Sequence, residues 1–498
     1  MVLRIPSMSA AVLPLLLSAG LTACNDSSIE PPPGRAPVAA AERRNIVLVT
    51  IDTLRADHLH CYGYPRATSP NLDRLAAQGV RFEQAIVQWP KTGPSMASLM
   101  TSTYGSTSGV MRTTLDQKVP RVYDLLPELL RSAGYQTFGV VANLSLSPKF
   151  SFDQGFDHYL VENANTGADH VSALARGLFE HRDPARPLFL WVHYLDPHAP
   201  YRPPPKFSEE FVGDEWFESD DRPPVPVDPR VADSTAQERH GNQIGQIPKY
   251  AYLPGKERIR DYVAQYDGDI RFLDEHLGRL MLWLGEQGHL ERALLVITAD
   301  HGESLGDHDY FFEHGRFPYD DCARVPLILI HPEWAPARVA APVALLDVAP
   351  TLLELVGIAP GWQFEGRSLV DWLRAGDHGT PPRPVFTQSG YEQEFETSVR
   401  DGRYKLIRIG SRRMAELLTG RPYELYDVLA DPGETRNLVD ERPEVFESLR
   451  TMLDAFVEDA RARVPPPPDG DAFTPTDEER RLIDALGYAD DKRTDDHR

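Results

Sequence analysis

The stretch Asn45-Ile46-Val47-Leu48-Val49-Thr50-Ile51-Asp52 decides the fold. Residues 46–51 are an unbroken apolar and β-branched run, and a carboxylate ends it. A strand without polar alternation is covered on both faces, the pattern of a buried strand in a parallel sheet. Runs of the same kind recur at 138–142, 188–192, 293–298 and 325–330. Helical stretches separate them. Ser69-Pro70 opens one that Gly79 closes, with cap and stop residues where helix ends require them. A second covers about 261–284. Strands alternating with helices predict an α/β fold, a three-layer sandwich around a mostly parallel central sheet.

The chain has 498 residues, 41% of them apolar, enough for one large domain and a smaller one. Its 52 basic and 74 acidic residues give a net charge of −22. That excludes a nucleic-acid backbone as partner. An anionic substrate would have to be attracted locally, by a metal or a few basic side chains. At the N-terminus, Arg4 precedes an apolar run over 10–23 that Pro14 interrupts, too short to span a bilayer. It ends in Leu21-Thr22-Ala23-Cys24, which resembles a bacterial lipoprotein box. The resemblance implies cleavage before Cys24, acylation of its sulfur, and an exported protein anchored by lipid to a bacterial membrane, facing the periplasm or the cell surface. An ordinary cleaved signal is the other reading. Cys61 and Cys322 make no disulfide framework and read as buried free thiols, although an exported protein could pair them.

This divides the chain into a signal (1–23), a Pro/Ala-rich tether (24–44), a catalytic domain (45–380) with an inserted loop (202–249), a further domain (381–460) and a tail (461–498). The insert is Pro- and acid-rich without periodicity and comes straight after a candidate site motif, so it reads as a substrate-facing loop or a disordered insertion. From about residue 385 short strands and turns predict a small antiparallel α+β subdomain. The tail reads as largely disordered, with a helical pattern only at 482–488.

Ligands of an open α/β sheet bind outside the carboxyl ends of its strands. Asp52, His193 and Asp300-His301 sit at such ends. One more segment, Thr92-Gly93-Pro94-Ser95-Met96-Ala97-Ser98-Leu99-Met100-Thr101, reads as a helix start with a hydroxyl at its head. Its frame resembles the nucleophile signature of the sulfatase family, a branch of the alkaline phosphatase superfamily: Cys or Ser, any residue, Pro, any residue, Arg. The resemblance extends from about residue 45 to 438 and includes the C-terminal subdomain, with Glu424-Leu425-Tyr426-Asp427 and Asp431-Pro432-Gly433-Glu434.

In sulfatases the Cys or Ser becomes a formylglycine. Threonine cannot yield that aldehyde, because its Cβ carries a methyl group. Thr92 instead looks like the metal-activated threonine of the family's phosphotransferase and phosphodiesterase cousins. The resemblance implies metal ligation by Asp52, Thr92, Asp300 and His301, with His314 as an additional candidate. The paired acids and the Asp-Asn of a calcium site are Asp52-Thr53 and Asp300-His301 here. Imidazole favours zinc or manganese, with calcium still possible. Thr92, His198 and His193 are the catalytic candidates: Thr92 as the nucleophile that forms a covalent ester, and His198 of Pro197-His198-Ala199-Pro200 as the acid for the leaving group. His193 reads equally as a structural hydrogen-bonding residue. Met96 replaces the signature Arg, and Val141-Ala142-Asn143-Leu144 replaces a Gly-Lys-Trp-His segment, so two sulfate-binding side chains are missing. Arg55, Asn143 and Arg316 are the candidates to contact substrate in their place. The expected substrate is a sulfate or phosphate ester of a small molecule, glycan or lipid. Thr92 favours phosphate mono- or diesters or phosphotransfer. A sulfuric ester hydrolase is the alternative, and a catalytically inactive lipoprotein on the same fold is the third.

Overall fold

The computed structural model describes residues 44–111, 117–162, 166–225, 246–375, 382–390, 395–410, 415, 420–466, 476 and 481. The signal, Cys24 and nearly all of the tether lie outside the described residues, as does most of the tail. No helix among the described residues is long and apolar enough to cross a membrane.

The opening run forms β1 (Ile46–Ile51), buried at every position. Ile46, Val47, Leu48, Val49 and Ile51 are wholly inaccessible, and burying each such side chain contributes about 1.5–3 kcal/mol. The remaining strands of the central sheet are β2 (Val80–Ile86), β3 (Gln136–Val141), β4 (His158–Val161), β5 (Leu188–Tyr194), β6 (Leu294–Ala299), β9 (Arg324–Ile330) and β10 (Ala337–Ala344). A small hairpin, β7 (Ser304–Leu305) and β8 (Phe311–Glu313), lies apart. The sheet order is β10-β2-β9-β6-β1-β5-β3-β4. β1 is central, parallel to β5 on one side and β6 on the other. β9 runs antiparallel to both β6 and β2, the one reversed strand in the sheet.

Two helical layers cover the sheet, as the uniformly buried strands require. Helices Pro70–Ala76 and Ala168–Gly177 both pack on the long helix Ile259–Glu286. Helices Thr92–Thr101, Leu126–Ser132 and Val348–Leu355 form the second group. The long helix begins and ends two residues beyond the expected 261–284. Part of the inserted segment is built onto it. Arg66 holds Asp214 with both carboxylate oxygens, at 2.6 and 2.8 Å, and Asp267 of the long helix at 2.7 Å. Its guanidinium also lies over the Trp216 ring at 4.4 Å. Residues 226–245 of the insert lie outside the described residues.

Strands β11 (Val385–Ser389), β12 (Glu396–Arg400), β13 (Tyr404–Arg408) and β14 (Tyr423–Asp427) form the second, antiparallel sheet. Helix Pro443–Ala462 covers it through Leu449, Leu453 and Val457. This is the expected C-terminal subdomain, and its helix continues into what the sequence assigned to the tail. Buried ions fasten it to the large domain: Lys405 Nζ lies 2.8 Å from both Asp320 and Glu434. Cys61 and Cys322 are free thiols.

Candidate active site

The polar residues gather at the carboxyl end of the sheet, because β1, β5 and β6 are adjacent and parallel. Asp52 comes directly after β1 and Asp300-His301 directly after β6, all three with no accessible surface. Thr92 begins helix Thr92–Thr101 and is equally buried. Its Oγ1 lies 3.2 Å from His301 Nε2 and 3.5 Å from Asp52 Oδ2. His301 Nε2 is 3.6 Å from both Asp52 Oδ1 and Asp300 Oδ2. The four residues read from the sequence are thus brought together.

Local bonds aim these side chains. His301 Nδ1 donates to Gly302 O at 2.8 Å, which turns the Nε2 lone pair toward Thr92 and the carboxylates. The His301 amide donates to Asp300 Oδ1 at 2.7 Å, and the Thr53 amide adds a second bond at 3.2 Å. That second bond needs Thr53 in the left-handed region, φ 54°, an unfavourable place for a β-branched residue. Tyr266, donating to Thr53 O at 2.7 Å and accepting from Arg55 N at 3.0 Å, holds the turn.

Asp52 Oδ1 and Asp300 Oδ2 are buried with no hydrogen-bond partner among the described residues. Burial opposes ionisation of Asp52, and the facing imidazoles of His198 and His193 more than offset it, holding its carboxyl well below the usual range. Asp300 goes the other way: burial, then the Asp52 charge, push it well above. Burial, then the neighbouring His314, push His301 well below an ordinary imidazole, so the ring is neutral and its nitrogen available. Two buried carboxylates and a neutral imidazole nitrogen, with ligand atoms within 4.8 Å of one another, fit a divalent cation. Orphaned carboxylate oxygens pointing at one spot are what such a cation would satisfy.

His314 lies outside that trio. Its ring is 4.2 Å from that of His301 and 5.2 Å from that of His198, and Nδ1 sits 3.0 Å from Glu303 Oε1. His198 is nearly buried, with Nδ1 donating to Ala199 O at 2.6 Å. His193 lies against Thr50 and Asp52 rather than out in a cleft. Its Nδ1 is 2.8 Å from Thr50 Oγ1 and its Nε2 3.6 Å from Asp52 Oδ2.

The expected substrate contacts fare differently. Asn143 Nδ2 donates to Asp52 Oδ2 at 2.7 Å, so it steadies a candidate ligand. The guanidinium of Arg55 is spent on Asp57 at 2.8 Å, Asp307 at 2.7 Å and Glu303 O at 3.1 Å, which makes it a strut beneath the site. Arg316 is half-buried and stands over the Phe317 ring at 5.8 Å.

Two residues escape the sequence reading. Glu303 is buried on His314, and burial pushes its carboxyl up to about 8. Lys91 is the N-cap of the Thr92 helix and is 7% exposed. Burial pushes the Glu313 carboxyl up to about 7, which the Lys91 ammonium partly opposes, and burial, then His198 and Lys91, push the His314 imidazole well below its ordinary value. The position of Lys91 directly before Thr92 is the signal that could have found it.

A family model described as sulfatase matches residues 44–358, and one for the C-terminal part of N-sulphoglucosamine sulphohydrolase matches 306–462. The N-acetylglucosamine-6-O-sulfatase of Bacteroides thetaiotaomicron is 24% identical over 479 residues, covering 80% of this chain and 83% of its own. Among solved structures, a protein in complex with its substrate D-glucosamine-2-N,6-O-disulfate superposes with a TM-score of 0.66 at 21% identity, covering 86% of this chain and all of the other. The phosphonate monoester hydrolase of Agrobacterium radiobacter does so with a TM-score of 0.65 at 21% identity, covering 84% and 96%. With the fold, the strand-end carboxylates and the helix-borne Thr92 already in place, these matches settle the family: the chain belongs to the sulfatases of the alkaline phosphatase superfamily, and it is a hydrolase of that family.

Proposed function

We propose that this hydrolase cleaves a phosphate mono- or diester, or transfers its phosphoryl group, with Thr92 as nucleophile. The observation that carries the reading is the placement of Thr92 Oγ1, buried at a helix N-terminus, 3.2 Å from His301 Nε2 and 3.5 Å from Asp52 Oδ2. Asp52, Asp300, His301 and Thr92 would hold a divalent metal, zinc or manganese ahead of calcium because one ligand is imidazole. Such an ion, when bound, lowers the pKa of a hydroxyl at its site and neutralises charge on the substrate.

The chain's own residues supply the rest. Thr92 Oγ1 attacks phosphorus in line and becomes esterified as the alcohol leaves. The amides and dipole at the helix N-terminus receive the anion. His198 has Nδ1 committed to a carbonyl, so Nε2 is the nitrogen that carries a proton to the leaving oxygen. Water, or an acceptor alcohol, then attacks the Thr92 ester. A sulfated threonine has no second hydroxyl to expel sulfate, whereas a phosphorylated one is open to attack at phosphorus.

The second reading is a sulfuric ester hydrolase, favoured by a relative named as N-acetylglucosamine-6-O-sulfatase. Under either reading the alcohol is a small molecule, a glycan or a lipid, and the protein is exported and held to a membrane through Cys24. Against the third reading, an inactive lipoprotein, speak the unsatisfied oxygens of Asp52 and Asp300, which a site without a cation has no reason to keep.

The test is turnover of aryl phosphate, bis-aryl phosphate and aryl sulfate with zinc, manganese or calcium, beside Thr92→Ala. Phosphate-ester turnover that falls at least about 1,000-fold in Thr92→Ala is expected. Sulfate-ester turnover alone, or a fully active Thr92→Ala, would refute it.

A further inference from the structure

Three exposed large hydrophobics gather around one short turn of helix, Gly105–Ser108: Val122 at 54%, Trp362 at 73% and Val464 at 91% exposed. Trp362 stacks on Tyr123, ring centroids 5.8 Å apart, and the Tyr123 hydroxyl donates to Thr107 O at 2.9 Å. Gln363 Nε2 donates to Asp124 O at 2.8 Å, so the segment that carries the indole is pinned to the surface. From the other side Arg463 reaches the Thr107 hydroxyl and Glu365, and Glu365 also takes the Tyr104 amide at 2.7 Å. Pro465 Cβ lies 3.0 Å from where a Cβ on Gly109 would stand. The chain therefore passes beyond its described course, at Pro466, beside this patch.

The sequence beyond Pro466 is suited to the patch. Thr476-Asp477-Glu478-Glu479 has the sequence pattern of a capping box and Gly487 that of a stop, and helical spacing would put Leu482, Ile483 and Leu486 on one face. Arg481, on the opposite face, is helical and exposed. A helix of about ten residues does not persist alone in water and needs an apolar surface to rest on. The nine residues 467–475 span on the order of 25 Å when extended, enough to turn back on the patch they leave.

We propose that residues 477–486 dock as an amphipathic helix on the patch formed by Val122, Trp362 and Val464. Leu482, Ile483 and Leu486 cover the indole. Because the patch sits on the stretch just after helix Thr92–Thr101, the docked tail braces the far end of the helix that carries Thr92 at its start.

Hydrogen exchange read by mass spectrometry on the full-length chain tests this. Amides of 480–487 should exchange about tenfold or more slowly than in full-length Leu486→Asp, a change in the tail that leaves the folded domains untouched. Trp362→Ala should remove the same protection. Free-chain exchange in the unsubstituted protein overturns the proposal. Protection that survives Trp362→Ala overturns it too. So does protection that appears only as the chain dimerises with concentration, for then a second copy fills the patch.

Discussion

Asn143 Nδ2 donates to Asp52 Oδ2 at 2.7 Å, which reserves Oδ1 of that carboxylate for the centre of the site. The amide cannot flip, because Asn143 Oδ1 accepts from both the backbone and the hydroxyl of Ser145, at 2.9 and 2.8 Å. Removing a group that orients a ligand costs about 10–100-fold in metal affinity. Asn143→Ala is expected to weaken zinc or manganese binding by that amount, read by competition with a chelating dye, while the fold survives. Unchanged affinity would return Asn143 to the substrate-binding role.

The paired carboxylates set a pH dependence. Without a cation, burial and then the Asp52 charge raise the Asp300 carboxyl well above its ordinary value. An acid whose folded pKa is raised supplies stability that is whole below its unfolded pKa and is lost as pH climbs through the folded one. Asp52, lowered instead, acts only below about pH 4, outside this window. Chelator-stripped protein should therefore lose stability as pH rises above the ordinary carboxylate range, and metal uptake should release protons. Thermal unfolding at rising pH, with and without zinc, checks the first, and proton release on titration checks the second.

Gly302 is confined by its neighbours. A Cβ there would lie 2.0 Å from the backbone oxygen of Asp321, which cannot swing aside. Gly302→Ala is expected to cost about 3 kcal/mol in urea unfolding. Its metal affinity should fall as well, because Gly302 O holds His301 Nδ1. A variant that is destabilised but binds metal normally would separate the two roles.

Lys91 supplies positive charge beside Thr92 in an otherwise acidic chain. Losing a charge-assisted hydrogen bond of about 1.5–3 kcal/mol corresponds to roughly a 10–100-fold change in binding. Lys91→Met is expected to raise KM for an anionic ester by that factor. A fall in kcat at constant KM would mean that Lys91 acts on Thr92 and not on the substrate.

The central strands β1, β3, β5 and β6 were legible because continuous apolar runs leave no other reading. β2 was not, since Arg81, Glu83 and Gln84 interrupt it, and β10 was hidden by alanines and Pro342. The run 325–330 is a strand, but reversed, and an apolar run carries no direction. At the site, Asp52, Asp300, His301 and Thr92 could be placed because strand ends and a helix start are local signals. Arg55 could not: its partner Asp307 is 252 positions away, and only the folded chain shows its charge already spent. His314 does lie next to the site, but its tie to Glu303 depends on the β7–β8 hairpin, which is too short to read from sequence.

β1 also separates two ends of the enzyme. Arg44, just before it, is moored by Glu333 at 2.7 Å and by the Tyr135 hydroxyl at 3.0 Å, while Asp52 lies just past its other end. Six strand residues at about 3.3 Å each put roughly 20 Å of packed sheet between mooring and chemistry. Residues 44 and 45 therefore enter the domain on the side opposite the candidate site, and a change there, such as loss of the Arg44–Glu333 ion pair, would reach Asp52 only through the strand.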